Sequence, residues 1–170
     1  MFSLKVLMER GPEHIKIASL CELRGVTKGS FYHHFKNRSV FVEELMSFWY
    51  DKMTLEFIDQ ANTESTPMER LGKLDKVITE NHFEAETHIR AWALKEPVIK
   101  EYLEKIDSTR QQYLADCYID LGLDEDTARD IALIAYSNFL GMQQIHPTPS
   151  IETVLRVTAL GSKTFLEKLL

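Results

Sequence analysis

Between Thr27 and Arg38 the chain reads TKGSFYHHFKNR, a run without a carboxylate. Thr27, Ser30 and Tyr32 offer hydroxyls, His33 and His34 imidazoles, Lys28 and Lys36 ammonium groups and Arg38 a guanidinium. All are hydrogen-bond donors, and the ammonium and guanidinium groups are also positively charged. Gly29 has no side chain to keep the backbone away from a surface. The two adjacent histidines do not suit a metal, because neighbours on a helix diverge by about 100°. Ordinary helix packing is the competing account of Tyr32–Phe35. The charge of the whole chain supports the first account. Residues 1–42 hold seven Lys and Arg against three acids, and the remaining residues hold 13 against 23, so a head of +4 sits on a body of −10 within a net charge of −6. A basic head on an acidic body suggests contact with a polyanion at one end, chance asymmetry being the alternative that charge alone leaves open.

Positioning those donors is a task for helices. Ile17, Leu20, Cys21 and Arg24 recur at helical spacing and end at Gly25, which can take the left-handed conformation that terminates a helix. Thr27 is a good N-cap for the next helix, in which Phe31 and Phe35 lie one turn apart and anchor the inner face. The result is a helix-turn-helix with Val26 expected to plug its angle. The first turn of its second helix, Thr27–Ser30, is narrow, polar and at the positive end of the helix dipole, as entry into a DNA major groove requires. Before this motif a short helix spans about Phe2 to Arg10 and stops at Gly11-Pro12. After it a long helix follows Asn37 to about Gln60, and Asn62–Pro67 is a loop. Further helices are predicted near Met68–His82, Glu84–Lys95, Pro97–Leu121, from Leu123-Asp124 to about Gln144, and from Ser150 to Leu170. No run of period-two alternation appears, so the expected class is all-α.

The motif resembles the DNA-binding domain of the tetracycline-repressor (TetR) family of bacterial regulators, through Gly25, Val26, Thr27, Gly29, Ser30, Phe31, Tyr32, His34, Phe35 and Arg38. The resemblance implies a three-helix head at residues 1–42 and a larger helical ligand-binding and dimerisation domain at 43–170. It implies that Lys28, Gly29 and Ser30 meet base edges or nearby phosphates, that Tyr32 bonds a phosphate with help from Thr27 and His34, and that Arg38 serves as a phosphate clamp. His33 and Lys36 join the set by position and charge. The chain departs from the family pattern in Lys16, Cys21, Arg24 and Ser39. Only ten residues precede Gly11, so the family's basic N-terminal arm is missing from this sequence; a late start and a genuine truncation are the alternatives, and either is expected to weaken phosphate contacts while sparing the fold. The implied partners are a double-stranded DNA operator, a second copy of the chain and an unknown small-molecule effector.

In the larger domain, Ala128, Ile131, Ala132, Ala135, Tyr136 and Phe139 form one stripe, and Val154, Leu155, Thr158, Gly161, Phe165 and Leu169 another. Two such hairpins would close a four-helix dimer bundle, the alternative being that the stripes pack internally. His88, Trp92, Tyr102, Tyr113, Cys117, Phe139, Met142 and Gln143 are pocket candidates, each competing with plain core packing. His82 with Glu86 and Glu84 with His88 stand at i, i+4, a spacing that exposed helix pairs use far more often than metal sites do, so no metal and no cofactor are expected. No nucleophile elbow, phosphate-binding glycine loop, zinc motif or dinucleotide fingerprint appears, which argues against an enzyme. Cys21 and Cys117 are expected to be free thiols in the cytoplasm, since no segment has the layout of a signal peptide or the length of a membrane span. The expected function is a homodimeric, ligand-responsive DNA-binding regulator, most often a repressor. The rival is an interaction adaptor or small-molecule binder that keeps this fold without DNA binding.

Overall fold

The computed structural model describes the backbone of residues 2–81 and 84–169, with the side chains of all of these except 84, 85, 162, 163 and 165–169. Its elements are helices: α1 Phe2–Arg10, α2 Ile17–Arg24, α3 Lys28–His34, α4 Arg38–Tyr50, α5 Glu56–Ala61, α6 Pro67–Glu80, α7 Glu84–Ala93, α8 Pro97–Asp120, α9 Glu125–Met142 and α10 Ile151–Leu169. Among the described residues there is no strand, so the class is all-α as expected. Local chemistry sets the helix starts. Thr27, Asn37, Thr66 and Asp124 each accept a hydrogen bond from a backbone N–H three residues on, and Pro97 opens α8. Thr66 and Glu69 complete a reciprocal capping box.

The chain forms two compact units. The first comprises residues 1–53 and 82–105, and the second 54–81 and 106–170. The functional division expected at 42/43 falls inside α4. In the first unit α1 packs on α7, and α2 on α3. Leu7, Ile15, Val42, Met46, Trp49, Ile89 and Ile99 are its most deeply buried apolar side chains. Glu86 shares the inner face of α7 with Ile89, one turn away, and is itself buried, its carboxylate 2.8 Å from Arg90. The expectation of an ordinary exposed pair is therefore corrected at Glu86. His82 and the Glu84 side chain lie outside the described residues.

In the second unit α6 packs on α5 and α10 on α9. Ala115 and Tyr118 of α8 form a core with Leu123, Ala128, Ile131 and Ala132. A polar network runs through the same unit. Arg110 Nε donates to Thr54 Oγ1 at 3.0 Å, and the Tyr136 hydroxyl, 3.4 Å from Arg110, donates to Asp107 at 2.7 Å. Thr54 belongs to residues 51–55, which wind as a π-helix where the sequence predicts unbroken α-helix. The wider turn adds a residue and changes which side chain faces inward, and the buried hydroxyl of Thr54 meets its donor there.

Burial also pushes the Asp75 carboxyl on α6 up to about 6. Between about pH 4 and pH 6 the folded chain holds a proton that the unfolded chain has released, so stability falls as pH rises through this window. The cost is at most about 3 kcal/mol and is complete above about pH 6. Asp75→Asn is expected to raise the melting temperature at pH 7.5 by several degrees and to change it little at pH 3.5. A melting series showing equal effects at both pH values would remove burial of the charge as the cause.

Candidate nucleic-acid interface

Two helices and a three-residue turn hold the donor-rich segment. Gly25 sits at φ 70°, in the left-handed region, and its N–H bonds back to Cys21 and Glu22. An added Cβ there would meet nothing within 4 Å, so the glycine serves the backbone and not the packing. Cys21 is buried, and its Sγ lies 3.7 Å from the Thr27 carbonyl, filling the corner of the motif. Val26, expected to plug that corner, is instead 44% exposed. With the left-handed turn at Gly25 and the helix starting directly after Thr27, Val26 faces solvent while the thiol takes the interior.

Three aromatic rings support α3 from below. The rings of Phe31, Phe35 and Phe41 lie 5.0 to 5.2 Å apart in a closed triangle. Helical geometry then fixes the outer face: at about 100° per residue, Gly29 and His33 point opposite Phe31, flanked by Ser30 and Tyr32. Thr27, Lys28, Gly29, Ser30, His33, His34 and Lys36 are all exposed, as is Tyr32, at 51%, with its ring edge-on to Phe31. The Thr27 hydroxyl oxygen accepts from the Ser30 N–H at 3.1 Å, so this side chain caps α3 in addition to facing outward. A Cβ at Gly29 would stand 3.6 Å from Thr27 Oγ1, an ordinary contact. The fold itself therefore does not require glycine at the centre of this face.

Arg38 behaves differently from the rest. It opens α4 and donates through both terminal nitrogens to Glu96, at 2.8 and 3.0 Å. Its guanidinium lies 6.0 Å from the Trp92 ring centroid. Hydrogen bonds from Arg38 hold the Glu96 carboxyl below its ordinary range, against the opposing effect of burial. Glu96, between α7 and α8, was not singled out in the sequence: 58 residues separate it from Arg38, and no local pattern pairs them.

The pocket candidates divide between the units. His88, Trp92 and Tyr102 belong to the first, where the Trp92 indole donates to Glu96 at 3.3 Å. Tyr113, Cys117, Phe139, Met142 and Gln143 belong to the second. There the Tyr113 hydroxyl donates to Asn62 at 3.1 Å, Phe139 stacks on Tyr136, and Gln143 bonds the Phe139 carbonyl. Burial pushes the Cys117 thiol up, away from thiolate character. Both cysteines are free.

The expected dimer stripe on α9 needs correction. Ala128, Ile131, Ala132, Ala135 and Phe139 are buried within the chain itself, as is Val154 on α10, and the first three share a core with Ala115 and Tyr118 of α8. The face left to solvent carries Leu133, 51% exposed, and Ile134, 47% exposed, with Leu160, 60% exposed, on α10. Between α9 and α10 runs a groove of about 240 Å³ lined by Ile131, Ile134, Ala135, Asn138, Val157, Thr158 and Gly161. The Asn138 amide donates to the Thr158 hydroxyl at 2.9 Å across it. Thr158 and Gly161 thus keep an open side, and the Phe165 side chain lies outside the described residues. Among the described residues no helix is long and apolar enough to cross a membrane.

Residues 3–45 match the family described as bacterial regulatory proteins, tetR family. The HTH-type transcriptional repressor KstR2 of Mycobacterium tuberculosis is 30% identical over 66 residues, covering 39% of this chain and 33% of that repressor. The match thus spans about one third of the length of this curated relative. A Rhodococcus sp. chain assigned to the TetR-family transcriptional regulators superposes with a TM-score of 0.73 at 18% identity, over 95% of this chain and 93% of its own. The regulator FadR of Bacillus subtilis, solved with stearoyl-CoA, gives 0.61 at 16% identity, over 94% and 95%. At such identities the structural likeness speaks for the fold alone.

Proposed function

From the premise that residues 3–45 form a domain of the tetR family of bacterial regulatory proteins, we propose that this chain is a homodimeric, effector-responsive repressor that binds a palindromic DNA operator. The observation that carries the reading is the match itself, lying over a helix whose outer face is donor-rich and free of carboxylates. In this reading α3 enters the major groove. Lys28, Gly29 and Ser30 approach base edges, while Thr27, Tyr32, His33, His34 and Lys36 neutralise or bond the phosphates alongside. One seven-residue helix reads few base pairs, so a second copy about one helical turn away, roughly 34–36 Å, doubles the site. The exposed faces of α9 and α10 supply the dimer surface, through Leu133, Ile134 and Leu160 beside the groove at Thr158 and Gly161. An effector that binds one spacing of the two heads better than the other then shifts the population toward it. The pocket candidates His88, Trp92, Tyr102, Tyr113, Phe139 and Gln143 remain the residues to vary for effector binding. Long-chain acyl-CoA is the first effector class to test, since the FadR structure of this fold holds stearoyl-CoA.

Selection of genomic fragments by the purified protein, with anisotropy of the winners across a salt series, tests the reading. A short palindrome bound by two chains, with affinity falling about 10³-fold or more from 50 to 200 mM salt, is the expected result. Weak, sequence-blind binding would favour an adaptor of the same fold instead. On the selected site, Tyr32→Phe is expected to weaken binding about tenfold or more, the worth of one hydrogen bond to a charged phosphate, at unchanged melting temperature. Equal affinity of the two proteins would take Tyr32 out of the interface.

A further inference from the structure

The contact that ties Arg38 to Glu96 has the geometry of an intramolecular fastening. The guanidinium meets the carboxylate end-on through two parallel hydrogen bonds of 2.8 and 3.0 Å. This arrangement occupies one donor on each terminal nitrogen and neutralises the charge of both partners. The Trp92 indole N–H adds a third donor to the same carboxylate, and the Trp92 ring stands beside the guanidinium. Glu96 is itself held by its backbone. Its carbonyl accepts from the N–H groups of Ile99 and Lys100, and its own N–H bonds to the Trp92 carbonyl. Lys28 and Lys36, by contrast, are exposed and have long flexible stems. A phosphate approaching the terminal nitrogens of Arg38 would have to displace a carboxylate or share donors with it, at like-charge cost. Only Phe35, Lys36 and Asn37 separate α3 from α4, so whatever holds the first turn of α4 also holds the helix before it.

We propose, on the reading that this chain binds DNA through its helix-turn-helix, that Arg38 is one half of a latch and not a phosphate clamp. Its fork with Glu96 fastens the start of α4 to the corner between α7 and α8, and Glu96 is the positioning residue that sets the placement of α3. Three of the latch's features bear on its strength: it is bidentate, partly buried, and made to a carboxylate that a second N–H already orients. The two assignments for Arg38 differ in what the removal of Glu96 does. If Glu96 competes with phosphate for Arg38, removing its charge frees a cation and tightens DNA binding. If the pair is a latch, loss of either half disturbs the same placement, so both losses move affinity in the same direction.

The test compares the full chain with Arg38→Ala, Glu96→Gln and the charge swap Arg38→Glu with Glu96→Arg. Each is read by thermal melting and by anisotropy on the selected DNA duplex over a salt series. Both single variants are expected to lower the melting temperature by about 3–6 °C. Both are also expected to shift DNA affinity in the same direction by threefold or more at an unchanged salt slope, with the swap returning both quantities toward the wild type. Opposite shifts overturn the proposal: Glu96→Gln tightening, with Arg38→Ala weakening and lowering the salt slope by about one, is the signature of a phosphate contact. Unchanged melting and affinity in both single variants overturn it as well. Should Arg38→Ala fail to fold, Arg38→Lys keeps the charge for a phosphate but loses the fork, and a shift matching that of Glu96→Gln then supports the latch while wild-type behaviour sinks it. If the wild-type chain binds no DNA, the repressor reading falls. The melting cycle still decides whether the two residues are coupled.

Discussion

Gly29→Glu is expected to abolish specific DNA binding, by 100-fold or more, while leaving the chain folded and slightly more stable. The two effects have separate causes. Within the chain the added Cβ meets only Thr27 Oγ1, at 3.6 Å, and the position is exposed in the first turn of a helix. Replacing glycine there relieves a helix penalty of about 0.5–1 kcal/mol, and a carboxylate in the first turn suits the helix dipole. At the proposed interface the same side chain stands at the centre of the outer face, opposite Phe31, and would bring bulk and negative charge to where base edges and phosphates approach. Melting curves and anisotropy on the selected duplex check the prediction together. Retained affinity at raised stability would show that α3 does not enter the groove by this face. Gly29→Ala should lie between, with a smaller loss of affinity.

Leu133→Asp combined with Leu160→Asp is expected to convert the proposed dimer to a folded monomer. Both side chains are more than half exposed in the single chain, so placing carboxylates there costs the monomer little. In a dimer the same charges would be buried against apolar partners without counter-charges, a cost of several kcal/mol. Operator affinity should then fall about 10²–10⁴-fold, because each head binds alone and loses the effective concentration of its twin. Light scattering after gel filtration reads the assembly, and a variant that stays dimeric would move the interface elsewhere. Ala132→Asp is the informative contrast. Ala132 is buried in the core shared with α8, so this change should unfold the second unit and not merely separate two chains.

The boundaries of the helices were legible because short-range chemistry sets them. Gly25 ends α2, and Thr27, Asn37 and Asp124 cap α3, α4 and α9, each through bonds to backbone within a few residues, while Pro97 opens α8 with a fixed φ and no N–H to leave unpaired. The donor-rich face of α3 was legible for the same reason: once Phe31 and Phe35 are assigned inward, a fixed rotation per residue places Gly29, Ser30, Tyr32 and His33 outside. Where two readings of one helix were equally apolar, the sequence could not choose. On α9 the stripe of Ala128, Ile131 and Ala132 and the pair Leu133 and Ile134 are both suited to burial, and the stripe went inward because α8 and Leu123 cover that side. The filling of the corner at Cys21 in place of Val26, the inward turn of Glu86, the π-helical stretch at Thr54 and the pairing of Arg38 with Glu96 were all decided in the same way. Each depends on a partner far away in sequence or on the packing of a neighbouring helix. A polar or charged side chain goes where its desolvation is compensated, and only the tertiary structure brings that compensation within reach.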